Sequence, residues 1–194
     1  MVKRIDTSLI ERIRQASVEI ISEKGITGSS VASIAKRAQV SAGYLYRHYP
    51  SKEDLVNDLL NDSLHTIAEK IDELIQQNDR IENIVEGIIV FILESANTNP
   101  HRIKFVIMLL NDFSIPNKPS VREQIIRIGE TLIEKGRESG SIRNEITVED
   151  FYIALVGIPL QYLATRFRFN FGPQDYNLDA ETHKITELSM CAIK

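Results

Sequence analysis

The segment VSAGYLYRHYPSKEDL, residues 40–55, crowds three tyrosines, an arginine, a histidine and a lysine into a stretch with few apolar positions. Tyr44, Arg47 and His48 stand at i, i+3 and i+4, the spacing that puts side chains on one face of a helix. Leu45 and Tyr49, four apart, mark the opposite face, with Val40 behind them. A helix built this way suits the major groove of a duplex. Arginine can pair two-pronged with guanine O6 and N7, and tyrosine can reach a phosphate or a thymine methyl. Gly43 removes a side chain beside those groups and lets backbone approach backbone. Lys52 falls in the first turn of a following helix, whose free N–H groups already favour an anion. Ser30, at the start of an earlier helix, offers a similar phosphate anchor on the other flank.

The chain's net charge of −4 hides an asymmetry that fits this chemistry. Residues 1–52 carry nine Lys and Arg against four Asp and Glu, a net of +5, and residues 53–194 carry a net of −9. A basic head on an acidic body points to an anionic partner at one end only. The single cysteine, Cys191, excludes an internal disulfide and fits a reducing compartment. MVKRIDTSLIERIRQ has charges threaded through its apolar residues, unlike a signal peptide. No run approaches the ~20 apolar residues that cross a bilayer. The expectation is a cytoplasmic protein without a membrane partner.

Helical periodicity positions these residues. Leu9, Ile10, Ile13, Ala16, Ile20 and Ile21 step by three and four along a first helix, with a capping pattern Ser8-x-x-Glu11 at its start and Gly25 to stop it. Ser30 caps VASIAKRA, Ser41 caps AGYLYRHY, and Pro50 closes that third helix. Ser51, Glu53 and Asp54 open a fourth helix of roughly 25 residues, whose stripe runs Leu55, Leu59, Leu64, Ile67, Ile71, Leu74. IENIVEGIIVFILES is apolar on nearly all sides, as a central helix would be. HRIKFVIMLLNDF, a turn-rich SIPNKPS, VREQIIRIGETLIEKGRES and a short SIRNEI follow. A strongly apolar helix over 148–169 is interrupted by Gly157 and Pro159, and a last helix covers about 179–192. The fold class expected is all-α, about nine helices: a helix-turn-helix head at 1–52 and a helical effector-binding and dimerisation body at 53–194.

GITGSSVASIAKRAQVSAGYLYRHYPSKEDL, residues 25–55, resembles the N-terminal signature of TetR/AcrR-family transcriptional regulators. The resemblance rests on the helix-closing glycine, the paired small hydroxyls, IAKRA, VS-x-G, LY-x-H-aromatic and SK-x-x-L. It implies DNA contacts at Ser30, Ser41, Ala42, Gly43, Tyr44, Tyr46, His48 and Lys52; Arg47, at a position that varies in the family, enters by its spacing alone. Gln39 stands where many relatives have a glycine in the turn. The resemblance further implies a homodimer, paired through the last two helices, that binds double-stranded operator DNA and is released by a small molecule. The alternative from another class is a helical protein–protein adaptor with a vestigial head.

Phe91, Phe105, Met108, Tyr152, Gln161 and Tyr162 offer an apolar lining with polar handles for such an effector. His65, His101 and His183 have no Cys or carboxylate partners at ligand spacing, so no metal site is expected, and no cofactor. Glu82, Glu86 and Glu94 fall on the less apolar side of their helix and read as a solvated face. No nucleophile elbow, phosphate loop or zinc motif joins the Ser, His and Asp residues, so no catalytic residue and no enzyme is expected.

Overall fold

Helix α1 (Thr7–Gly28) carries Ile13, Ala16, Ile20 and Ile21 on its buried side and breaks at Gly25. There φ is 80° and ψ 165°, backbone that is essentially glycine's alone, and one further turn follows. In the computed structural model, which describes residues 7–112, 119–170 and 177–194, α1 has already begun at Thr7. Ser8 therefore lies inside the helix rather than capping it, unlike the expectation from Ser8-x-x-Glu11. Helix α2 (Val31–Ala38) is capped by Ser30 and Ser33, each side chain accepting from the other's backbone N–H. Helix α3 (Ala42–His48) starts where the Ser41 side chain accepts from the Tyr44 N–H and ends at Tyr49, just before Pro50. Ser51 caps α4 (Lys52–Gln77), a helix of 26 residues and so about 39 Å long.

The body follows as α5 (Ile81–Thr98), α6 (Pro100–Asn111), α7 (Pro119–Glu138), α8 (Val148–Tyr152), a π-helical turn (Ile153–Gly157), α9 (Ile158–Phe169) and α10 (Leu178–Ile193). The turn-rich SIPNKPS falls largely outside the described residues. Because α8, the π turn and α9 form one rod, the described residues make nine helical rods and no strand. No helix among them is long and apolar enough to cross a membrane.

Two apolar clusters hold the helices. The larger surrounds α5, whose Ile81, Ile84, Val85, Ile89 and Leu93 are fully or almost fully buried. The smaller gathers α1, α2 and α3, but it does not stop at residue 52. Leu55, Val56 and Leu59 of α4 belong to it, and so does Phe105 from α6. The body's own helix α6 is thus built into the head, lying along α1. A cross-link repeats this in polar chemistry: the Ser22 hydroxyl donates to the Glu19 carbonyl at 2.8 Å and meets His101 Nδ1 of α6 at 2.7 Å.

The interruption at 153–159 has a local cause. The Ile158 N–H bonds back to the Ile153 carbonyl, five residues away, which shifts the ladder by one. The Ala154 carbonyl would then need the N–H of residue 159, and Pro159 has none. Ser189 of α10 supplies the missing donor: its hydroxyl, fully buried, reaches the Ala154 carbonyl at 2.7 Å. Ser189→Ala should cost about 1–3 kcal/mol by orphaning a buried carbonyl. Pro159→Ala in the same chain restores an N–H and should recover part of that loss in urea denaturation.

Candidate nucleic-acid interface and cavity

Helix α3 presents a narrow outward face. Leu45 is fully buried and Tyr49 nearly so, as their spacing requires. Ser41, Ala42, Gly43, Tyr46 and Arg47 are exposed, Tyr46 at 52%. Tyr44 is half-buried against the head's apolar cluster, with its ring 4.7 Å from that of His48. The face expected through Tyr44, Arg47 and His48 is thus centred instead on Gly43, Tyr46 and Arg47, with Tyr44 and His48 on its shoulder. The reason is the head's apolar cluster, against which the Tyr44 ring packs. A Cβ built on Gly43 would meet nothing within 4 Å. Nothing among the described residues requires a glycine there.

The head's cations divide by what they hold. Arg12 donates from Nε and Nη2 to the Ala38 carbonyl at 3.0 and 2.7 Å, and from Nη2 to the Gln39 carbonyl at 2.9 Å. Arg37 pairs with Glu19 and Glu23 at 2.8 and 3.3 Å. The hydrogen bonds from Gln15 and Arg37 hold the Glu19 carboxyl below its usual pKa. Arg14 pairs with Asp58 at 2.9 Å and Asp62 at 3.3 Å. Lys52 does not project freely beside α3: its ammonium donates to the carbonyls of Ile26 and Ser29 at 2.8 and 3.3 Å, tying the end of α1 to the start of α4. Lys24, Lys36 and Arg47 are exposed, and none of them joins an ion pair among the described residues. Ser30 is exposed and occupied in its capping bonds.

The turn between α2 and α3 is what aims α3. Gln39 takes φ 57° and ψ 43°, the left-handed conformation that glycine adopts without strain. Arg12, the residue that spacing alone did not single out, grips this turn from 26 residues away. Gln39→Gly should raise stability by up to about 1 kcal/mol by removing left-handed strain from a side-chain-bearing residue. A urea midpoint that falls instead would mean that the Gln39 side chain holds the turn.

In the body, α4, α5, α6, α7 and the 148–160 stretch line a cavity of about 210 Å³. Its wall is overwhelmingly apolar, with Ser63, Thr66, Ser95, Arg102 and Tyr152 the hydroxyl and charged side chains on it. Leu64 and Ile67 of the α4 stripe are only half-buried because they front this space. Burial raises the pKa of the Tyr152 phenol, which stays protonated and able to donate.

Of the six residues expected to line it, Phe91 and Tyr152 do. Phe105 is fully buried in the head's cluster, and Met108 packs there too, 3.8 Å from where a Gly25 Cβ would stand. Gln161 is exposed. Tyr162 hydrogen-bonds the Glu181 carboxylate and accepts from Arg166 at 2.7 Å, pinning α9 to α10. Burial and the Glu181 carboxylate push its pKa up to about 12. His65 and His183 each face a glutamate one turn on, at 3.3 and 3.6 Å. Glu86 and Glu94 are exposed, whereas Glu82 is half-buried beside Arg80 and Lys194.

Residues 13–59 match the family described as bacterial regulatory proteins, tetR family. The fatty acid metabolism regulator protein of Bacillus subtilis (strain 168) is 24% identical over 186 residues, 94% of each chain. The HTH-type transcriptional repressor DhaR of Mycobacterium sp. (strain GP1) is 25% identical over 166 residues, 76% of this chain and 78% of that one. Among solved structures, the fatty acid degradation regulator FadR from Bacillus halodurans superposes with a TM-score of 0.78 at 18% identity, covering 95% of this chain and 100% of its own. FadR from Bacillus subtilis, solved in complex with stearoyl-CoA, gives 0.75 at 22%, again covering 95% and 100%. At such identities the superpositions speak for the fold.

Proposed function

From the match of residues 13–59 to the tetR family of bacterial regulatory proteins, we propose that this chain is a DNA-binding repressor of that family, released from its operator by a ligand carrying a long apolar chain. The observation that carries this reading is the double placement of α6. One side of α6 sends Phe105 and Met108 into the head, and the other sends Ile103, Val106 and Leu110 into the cavity wall. Filling the cavity displaces α6, and α6 cannot move without the head. Residues 1–52 serve as the DNA-binding unit and residues 53–194 as the effector and dimerisation unit, sharing the apolar cluster around Leu55 and Phe105.

An acyl chain suits the cavity because each buried CH₂ contributes about 0.8 kcal/mol and its torsions adapt to an irregular apolar wall. One Bacillus subtilis relative is named for fatty acid metabolism, and the similar FadR structure from Bacillus subtilis was solved in complex with stearoyl-CoA. Dimerisation runs through the last two rods: Ile153 of the π turn and Leu188 of α10 are 53% and 50% exposed, large aliphatic groups that an isologous partner would cover. Two heads would then enter successive major grooves, about 34 Å apart, on a palindromic site. The protein works where the DNA is, in the cytoplasm.

The test is a mobility-shift titration on DNA from upstream of its own gene. Stearoyl-CoA should release a retarded complex whose protein content is two chains per duplex. A complex indifferent to acyl ligands would remove the effector part of the proposal; no complex at all would leave an adaptor.

A further inference from the structure

A line of charged groups runs from the cavity wall to the end of α3. Arg102, in the first turn of α6, lies on the cavity wall and donates from Nη2 to Asp62 Oδ2 at 3.4 Å and to the Thr66 hydroxyl at 3.1 Å. The other oxygen of Asp62 accepts from Arg14 Nη1 at 3.3 Å. Arg14 in turn donates from Nε and Nη2 to Asp58 Oδ2 at 3.1 and 2.9 Å, and that same oxygen accepts from the Tyr49 phenol at 2.8 Å. Tyr49 is the residue that closes α3. Four elements, α6, α4, α1 and α3, therefore meet in one chain of contacts, with Asp62 shared between the head's arginine and the cavity's.

We propose that Arg102 reads an anionic group on the ligand and that Asp62 passes its capture to α3. Charge counting gives the mechanism. Along this line two carboxylates, Asp58 and Asp62, stand against two guanidiniums, Arg14 and Arg102. The 3.4 Å bond from Arg102 is the longest in the line and so the one most readily exchanged. Both bonds of Arg102 run from Nη2, which leaves Nε–H and Nη1–H free to donate singly to a carboxylate or phosphate. Each two-pronged edge of the guanidinium includes Nη2, so a fork forms as the bond to Asp62 is given up, with the α6 N-terminus adding to the attraction. Once an anion holds Arg102, two carboxylates compete for Arg14 alone. Asp62 draws Arg14 away from Asp58, and the brace on Tyr49 and the end of α3 loosens. An uncharged ligand fills the same cavity without upsetting this balance.

The inference rests on the regulator reading above, and its test separates the two. Binding of laurate, stearoyl-CoA and dodecanol is measured by calorimetry on the full chain and on Arg102→Met, with no DNA present. Arg102→Met should weaken laurate and stearoyl-CoA by at least about tenfold and leave dodecanol unchanged. Binding of neither anion to the unaltered chain, or equal weakening of dodecanol, overturns the anionic site. Operator affinity is then measured without ligand. Arg102→Met mimics capture and should lower it about fivefold. Adding Asp62→Asn rebalances the charges and should restore it to within about twofold of the unaltered protein. A double variant no better than the single one overturns the relay while leaving the regulator intact. If the unaltered chain retards no DNA, the regulator reading fails instead. The relay is then judged by whether Asp62→Asn recovers the urea midpoint that Arg102→Met loses.

Discussion

Phe105→Ala is expected to destabilise the protein by about 3–5 kcal/mol, the cost of deleting a fully buried aromatic and leaving a cavity. Against a total of about 5–15 kcal/mol, that is a third of the stability or more. The loss should be lopsided. Phe105 comes from the body's α6 but lies within the head's apolar cluster. Backbone amides of α1 and α3 should therefore exchange faster by a larger factor than those of α10, which packs on α5 in the other cluster. Hydrogen exchange with mass spectrometry reads this directly. Uniform acceleration over the whole chain would mean that the two clusters melt as one and that α6 is not a distinct link.

Gly43→Ala is expected to move stability and DNA binding in opposite directions. An alanine inside a helix is favoured over glycine by about 1 kcal/mol, and the new methyl meets nothing within 4 Å among the described residues. The urea midpoint should rise. Operator affinity should fall, by about tenfold for each ~1.4 kcal/mol lost when a methyl stands between α3 and the groove. A folded chain gains by losing this glycine, so its presence is explained by a partner that comes close. Affinity that holds or improves alongside stability would place the duplex on another surface.

The reading of residues 25–59 from sequence was close because local rules act there at short range. Ser30, Ser41 and Ser51 are caps, Pro50 is a stop, and a spacing of four sends Leu45 and Tyr49 inward. The pocket was harder to read because the facts that decide it are tertiary. IKFVIMLL in α6 is apolar on every side but that of Lys104, so periodicity did not tell that Phe105 joins the head's cluster while Ile103 and Val106 face the cavity. Beyond Tyr152, the π turn inserts an extra residue, which rotates everything after it by about 100°. Gln161 and Tyr162, expected there as polar handles on an apolar helix, lie beyond that turn, and neither lines the cavity. The net charge of the head was readable, but its pairing was not. Arg14 and Arg37 meet carboxylates, and Arg12 and Lys52 meet carbonyls, on helices far along the chain. The exposed set that the proposed duplex would meet is smaller and centred on Gly43, Tyr46 and Arg47.

That small exposed set bears the whole account, and the salt dependence of duplex affinity tests it most directly. Binding to DNA from upstream of its own gene is followed from low to moderate salt, for the unaltered chain and for a chain carrying Tyr46→Ala and Arg47→Ala, both exposed and neither part of a core. Affinity of the unaltered protein should fall steeply with salt as condensed counterions return to the phosphates. The double variant should bind at least about a hundredfold more weakly at equal stability, with a shallower slope. Equal affinity and equal slope in the two chains would show that α3 does not hold the duplex.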